Sequence, residues 1–354
     1  MIRNTNNSIL LNTLRGVPSE RPPFWFMRQA GRVLPSYQKL KNKYSFWEMM
    51  KDPRLAAEVT LLPVNDLKVD AAILFSDILV IPYAMGMGLD FTDQGPVFHT
   101  PLVEESDPLK ALNPDPSRLE YIYKAIDVII DAKPGNIPLI GFCGAPLTVL
   151  CYMLQGTSRR TEFSDALNFI QKNRDLTGAI VHRIAELSVE YARQQVRHGV
   201  EVFQLFETHA GIIPYDMYQE IFLPAVQKIA GELKGMNTPF IFFPKGIGTG
   251  IRTITPDHCD YLGIDWQTPL QLAREMVHPS IGLQGNINPR LLYADRKVIT
   301  AELEKLIPFG KENSNWIINL GHGFMPDTPY QSAVLLSEWI RNADWGRNDK
   351  KIEH

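Results

Sequence analysis

Two arginines four residues apart, Arg28 and Arg32, stand directly after a short apolar run. A guanidinium keeps its charge and grips a carboxylate or phosphate through two parallel hydrogen bonds. The pair therefore points to an oxyanion ligand; the plainer alternative is a solvated helix face. Asp77 follows a second apolar run. When ionised it is acceptor-only and can take several N–H groups at once, although a helix cap also uses such a residue. Tyr152 lies in an apolar stretch, Thr208 follows Glu207, and His322 sits between Gly321 and Gly323. A phenol, a hydroxyl and an imidazole that titrates near neutrality could hold or move a proton. Taken singly, each is also explained as a core tyrosine, an N-cap and a turn histidine. Lys245, followed by Gly246, reads as a strand cap and is left outside the catalytic set.

Something must bring these scattered residues together. Eight short apolar, β-rich runs recur along the chain, at 23–27, 71–76, 137–142, 200–206, 239–243, 260–265, 281–285 and 316–320. Most are apolar throughout, as strands buried on both faces of a parallel sheet should be. Helical patterns separate them. Asp52-Pro53 reads as an N-cap and a first-turn proline, opening a helix toward Leu67. Ile180, Ile184, Leu187 and Tyr191 form a helical stripe that ends at Gly199. Residues 301–306 and 331–340 are also expected to be helical, and 246–250 to be a loop. Alternating βα units predict a (β/α)8 TIM-type barrel, in one domain over residues 1–345 with a charged tail at 346–354, the chain being expected to fray from Asn342 onward. In such a barrel the site lies at the C-terminal ends of the strands, where the polar residues above fall.

The formal net charge of −3 argues against nucleic acid as the main partner. Three cysteines, Cys143, Cys151 and Cys259, fit no disulfide framework or zinc motif. A reducing compartment follows. The first sixteen residues lack the apolar core of a signal peptide, and no run is long enough to span a bilayer. A cytoplasmic location is expected.

Six blocks carry a resemblance. They are Phe24-Trp25-Phe26-Met27-Arg28-Gln29-Ala30-Gly31-Arg32 with Leu34-Pro35 and Tyr37; Ala71-Ala72-Ile73-Leu74-Phe75-Ser76-Asp77-Ile78-Leu79; Gly141-Phe142-Cys143-Gly144-Ala145-Pro146 with Tyr152-Met153; Phe206-Glu207-Thr208-His209-Ala210-Gly211; Leu283-Gln284-Gly285-Asn286; and Asn319-Leu320-Gly321-His322-Gly323. In this order and spacing they resemble the uroporphyrinogen decarboxylase family. The resemblance implies a homodimeric barrel that removes four acetate carboxylates from uroporphyrinogen, without a cofactor, to give coproporphyrinogen. Carried over by position, Arg28, Gln29, Ala30, Gly31, Arg32, Phe46, Asp77, Tyr152, Thr208 and His322 would line the substrate site. Asp77, Arg28, Arg32, His322 and Tyr152 would be catalytic. The chain departs from the pattern at Leu147 (often tryptophan), Thr208 (usually serine) and Val33 (commonly tyrosine), with no charged group lost.

The implied chemistry suits these side chains. Such a macrocycle carries eight carboxylates and four pyrrole N–H groups, so it needs cations at a rim and an acceptor at the centre. Protonating a pyrrole makes the ring its own electron sink as carbon dioxide leaves. A carboxylate beneath it would favour that cation over the neutral ground state. The proton donor stays open among Arg28, His322 and Tyr152. Two rivals stand: a zinc- and corrinoid-dependent methyltransferase, for which the adjacent pair His258-Cys259, expected on a strand, is a poor ligand set, and a non-catalytic tetrapyrrole binder.

Overall fold

The computed structural model describes residues 8–92, 95–156 and 163–347. Its strands are β1 (Ala72–Ile73), β2 (Leu89–Thr92), β3 (Gly95–Phe98), β4 (Leu139–Gly144), β5 (Val202–Glu207), β6 (Phe240–Pro244), β7 (Tyr261–Gly263), β8 (Gly282–Gln284) and β9 (Trp316–Ile317). Seven pair in parallel in the order β1-β4-β5-β6-β7-β8-β9 and curl as a half-barrel with helices around them, while β2 and β3 form a separate antiparallel hairpin. Each strand of the parallel sheet falls within, or within two residues of, one of the predicted apolar runs. Strands β4 and β6 are buried along their whole length, which explains why they do not alternate.

The first predicted run forms bridges rather than a strand of its own. Ile318 N–H donates to the Pro23 carbonyl at 2.9 Å, and Trp25 N–H to that of Ile318 at 3.4 Å. On the other side, Asp70 N–H donates to the Phe24 carbonyl at 2.9 Å. The Asp70 carboxylate fixes this segment further: it accepts from Phe24 N–H at 2.8 Å and from both terminal nitrogens of Arg21 at 2.6 and 2.7 Å. Residues 23–25 thus bridge β9 and the approach to β1.

Helices form where their caps predict. Asp52 Oδ1 accepts from Arg54 and Leu55 N–H ahead of the helix Pro53–Asp66. The helix Arg174–Arg197 buries Ile180, Ile184, Leu187 and Tyr191, and the chain turns at Gly199 with φ of 109°. Tyr330–Asn342 covers the expected helix at 331–340, and Arg296–Glu304 covers 301–304 of the one expected at 301–306, with residues 305–306 in a turn. Two expectations need correction. Of residues 246–250, expected to loop after β6, the last three open a 3-10 helix, Gly248–Thr253. The start of the tail is packed rather than frayed: Trp345 is buried between Trp316 and Trp339, and the Arg347 guanidinium donates to the carbonyls of Gly310 and Asn313. Residues 348–354 lie outside the described residues.

A chain of polar side chains crosses the largely apolar interior. Trp25 Nε1 donates to Gln284 Oε1 at 3.0 Å, and Gln284 Nε2 donates to Gln204 Oε1 at 3.1 Å. Leaving a buried group of this kind unpaired costs about 1–3 kcal/mol. Gln284, at the C-terminal end of β8, is therefore a buried structural residue.

Candidate active site

At the C-terminal ends of the strands lies a cavity of about 590 Å³. Arg28, Ala30, Gly31, Arg32, Phe46, Asp77, Tyr152, Thr208 and His322 all line it. Nine of the ten predicted site residues are therefore brought together from segments more than 290 residues apart in the chain (322 − 28 = 294). The tenth, Gln29, is a correction. It is fully buried, its Oε1 accepts from Phe26 N–H at 2.9 Å and its Nε2 donates to the Ala71 carbonyl at 3.0 Å. It staples the arginine loop to the start of β1 and presents nothing to the cavity.

That staple explains the shape of the loop. Met27 N–H donates to Asn319 Oδ1 and its carbonyl accepts from Phe324 N–H, both at 3.0 Å. Held on both sides, Arg28 adopts a left-handed backbone with φ of 62°. A residue with a Cβ pays roughly 1–2 kcal/mol for this. The result is an exposed guanidinium; neither Arg28 nor Arg32 has a carboxylate partner among the described residues. Unpaired cations at a cavity are what a polyanionic ligand requires.

Gly323 makes room for Arg28. A Cβ at Gly323 would lie 2.5 Å from Arg28 Cδ, 2.6 Å from Cγ and 3.0 Å from Nε. Gly323→Ala should push the guanidinium out of place and lower kcat/KM by about tenfold, roughly 1.4 kcal/mol. Steady-state assay of a double-mutant cycle checks this: the alanine should add no further loss once Arg28 is glycine.

Asp77 sits on the cavity wall after β1, with Oδ1 accepting from Leu79 N–H at 2.8 Å. Burial pushes its carboxyl up to about 6, against the opposing pull of the Leu79 hydrogen bond and the Arg28 charge. It is ionised at neutral pH, in surroundings that solvate the charge poorly, and gains more than an ordinary carboxylate from a cation placed over it. Tyr152, edge-on to Phe163 with ring centroids 5.3 Å apart, is pushed up to about 12, first by burial and then by Asp77, so its hydroxyl stays protonated.

His322 differs from expectation. Burial, then the charges of Arg28, Lys245 and His209, push it down to about 3. The sequence reading had it titrating near neutrality; in the fold it is a neutral imidazole, able to hydrogen-bond but not a cationic acid at neutral pH. Thr208 is set by a residue the sequence reading passed over. Glu207 ends β5, is fully buried, and accepts from Thr148 N–H and Oγ1 at 2.6 and 2.5 Å, Leu147 N–H at 3.2 Å and Tyr218 hydroxyl at 3.3 Å. Thr148 Oγ1 in turn accepts from His209 N–H at 3.1 Å. Burial pushes Glu207 up to about 7 despite these donors. The apolar walls, Tyr37, Phe75, Phe142, Phe206, Phe243 and Phe324, also escaped prediction. Phe46 packs on Phe75 and on Phe91 of the hairpin, with centroids 5.2 and 5.4 Å apart. Of the departures noted above, Val33 lines the cavity and Leu147 is wholly buried away from it.

Among the described residues no three His, Cys, Asp or Glu side chains are grouped to hold a metal. His258 and Cys259 precede β7 in a turn rather than on a strand; His258 Nδ1 is engaged by Thr255 and Cys259 is buried.

Fold and site together define an α/β protein with an aromatic-walled pocket that carries two guanidiniums and a carboxylate. The family described as Uroporphyrinogen decarboxylase (URO-D) matches residues 5–343. The uroporphyrinogen decarboxylase of Geobacter metallireducens is 37% identical over 94% of this chain and 98% of its own length. That of Legionella pneumophila (strain Paris) is 37% identical over 95% and 96%. A methyltransferase from Methanosarcina mazei shares the fold, with a TM-score of 0.76 at 19% identity over 95% of this chain and 98% of its own. The chain belongs to the uroporphyrinogen decarboxylase family.

Proposed function

We propose that this protein decarboxylates the four acetate side chains of uroporphyrinogen III, giving coproporphyrinogen III, without metal or organic cofactor. The observation that carries the reading is the pairing, within one cavity, of a half-buried carboxylate, Asp77, with two guanidiniums that have no protein carboxylate among the described residues. The family membership supports it. Arg28 and Arg32 hold substrate carboxylates, Phe46 and the aromatic walls pack on the macrocycle, and Asp77 accepts the pyrrole N–H groups. Tyr152, Thr208 and neutral His322 orient acetates by hydrogen bonds. Ala30 and Gly31 let the backbone approach.

In each round a pyrrole ring carbon takes a proton, and Asp77 stabilises the cation. The acetate C–C bond then breaks, its electron pair moves into the ring, and carbon dioxide departs. A proton adds at the exocyclic carbon and the ring proton returns. The net change is R–CH2–COO⁻ plus H⁺ giving R–CH3 plus CO2. With His322 held neutral, Arg28 and Tyr152 are the remaining donor candidates of the original three. We further take residues 23–27 as the eighth strand that closes a (β/α)8 barrel, residues 1–345 as one domain, and the protein as a cytoplasmic homodimer. The bridges of residues 23–25 support the first and the family likeness the last.

The test is anaerobic incubation of chelator-treated protein with uroporphyrinogen III, followed by oxidation and separation of porphyrins by carboxyl number. Stepwise appearance of seven-, six-, five- and four-carboxyl species is expected. Persistence of the eight-carboxyl species with folded protein and reduced substrate would overturn the reading.

A further inference from the structure

Lys245 has no part in the scheme above, yet it is firmly placed. Its N–H donates to the Glu207 carbonyl at 3.0 Å and its carbonyl accepts from Gly211 N–H at 3.1 Å. The next N–H, of Gly246, donates to Asp265 Oδ2 at 2.8 Å. Gly211 and Gly246 abut so closely that a Cβ on Gly211 would lie 2.3 Å from the Gly246 oxygen. The ammonium lies 5.7 Å from the centroid of the Trp266 ring, and that ring stacks on His322, which lines the cavity, at 6.2 Å and 14°. Its charge reaches the site: after burial, it helps hold His209 down, and it acts on His322 behind burial and Arg28. No carboxylate pairs with it among the described residues. A half-buried, backbone-clamped cation without a protein counterion is placed to take one from a ligand.

We propose that Lys245, carried beside Trp266, is an anion subsite additional to Arg28 and Arg32 that receives a propionate carboxylate of the macrocycle. The assignment rests on the decarboxylase reading. Acetates are consumed one by one as the reaction proceeds, whereas propionates persist, so a cation that holds a propionate can serve every round and every intermediate.

The experiment compares wild type, Lys245→Met and Lys245→Arg with eight-carboxyl and five-carboxyl porphyrinogens. Lys245→Met should raise KM about five- to tenfold for both substrates with kcat within about twofold, and Lys245→Arg should restore KM, because one charge-assisted contact is lost and regained. If Lys245→Met does not fold, as judged by Tm, Lys245→Gln takes its place. An unchanged KM, a loss in kcat alone, or no recovery in Lys245→Arg overturns the proposal. A KM effect confined to the eight-carboxyl substrate overturns the propionate assignment. Wild-type turnover in the same assay reports separately on the decarboxylase reading, which fails if wild type leaves the eight-carboxyl substrate unchanged.

Discussion

Asp77→Asn should lose activity and keep its fold. The substitution preserves shape and removes the charge that faces the ring cation. Removing one preorganised electrostatic partner of a developing charge costs about 10²–10³-fold in kcat, roughly 3–4 kcal/mol. KM should move little, because the neutral substrate ring gains less from Asp77 than the cation does. Stability should move the other way. The folded-state carboxyl, at about 6, lies above its unfolded value. The folded protein therefore binds the proton more tightly, and stability falls as pH rises through the window from about 4 to about 6. Above it, the ionised group costs on the order of 3 kcal/mol. Asparagine carries no such cost, so Tm at pH 7.5 should hold or rise. The same shift predicts an acid limb near pH 6 in wild-type kcat/KM, which reports the free enzyme. Steady-state kinetics across pH 5–8 and a thermal melt check all three points. Wild-type kcat in Asp77→Asn would refute the role.

Arg28→Gly should lower kcat/KM by about 10²–10³-fold, as expected when a partly buried carboxylate loses its bidentate partner at roughly 2–5 kcal/mol. It should also relieve the backbone. Arg28 holds a φ of 62°, which glycine adopts freely. Tm should hold or rise by a few degrees even as activity collapses, a pattern that marks strain kept for function. Two titrations should shift as well. Arg28 lowers the Asp77 carboxyl and lowers His322. Without it both rise: the acid limb of the residual activity moves above pH 6, and His322 becomes easier to protonate, readable by NMR of the imidazole. An unmoved limb would show that Arg28 does not act on Asp77.

Much of this arrangement was legible in the chain because burial writes itself into composition. Runs such as residues 239–243 are apolar throughout because β6 is covered on both faces. Asp52-Pro53 and Gly199 mark helix ends through local hydrogen bonding and backbone conformation, which need no tertiary knowledge. The site residues were legible by their place after strands. What escaped depends on contacts between distant segments. Gln29 sits in the arginine motif, and only the Ala71 carbonyl reveals it as a staple. His322 loses its ordinary titration through burial and the nearness of Arg28 and Lys245, none of which spacing encodes. The strands of the hairpin β2–β3 are mostly half-buried or exposed and show no clean alternation, so they carry little signal. Yet its Gly95 and Pro96 reach the cavity. The packing of Trp345 on Trp316 and Trp339 likewise turned an expected frayed segment into a docked one.

The most direct test of the account follows the carbon. Uroporphyrinogen III carrying ¹³C in its acetate carboxyls would be incubated anaerobically with the chelator-treated protein, and the released carbon dioxide and remaining macrocycle analysed by mass spectrometry. The account predicts four labelled carbon dioxide molecules per macrocycle and an unlabelled four-carboxyl product. Unlabelled carbon dioxide, label retained in a macrocycle that had lost carboxyls, or no release from folded protein would contradict it.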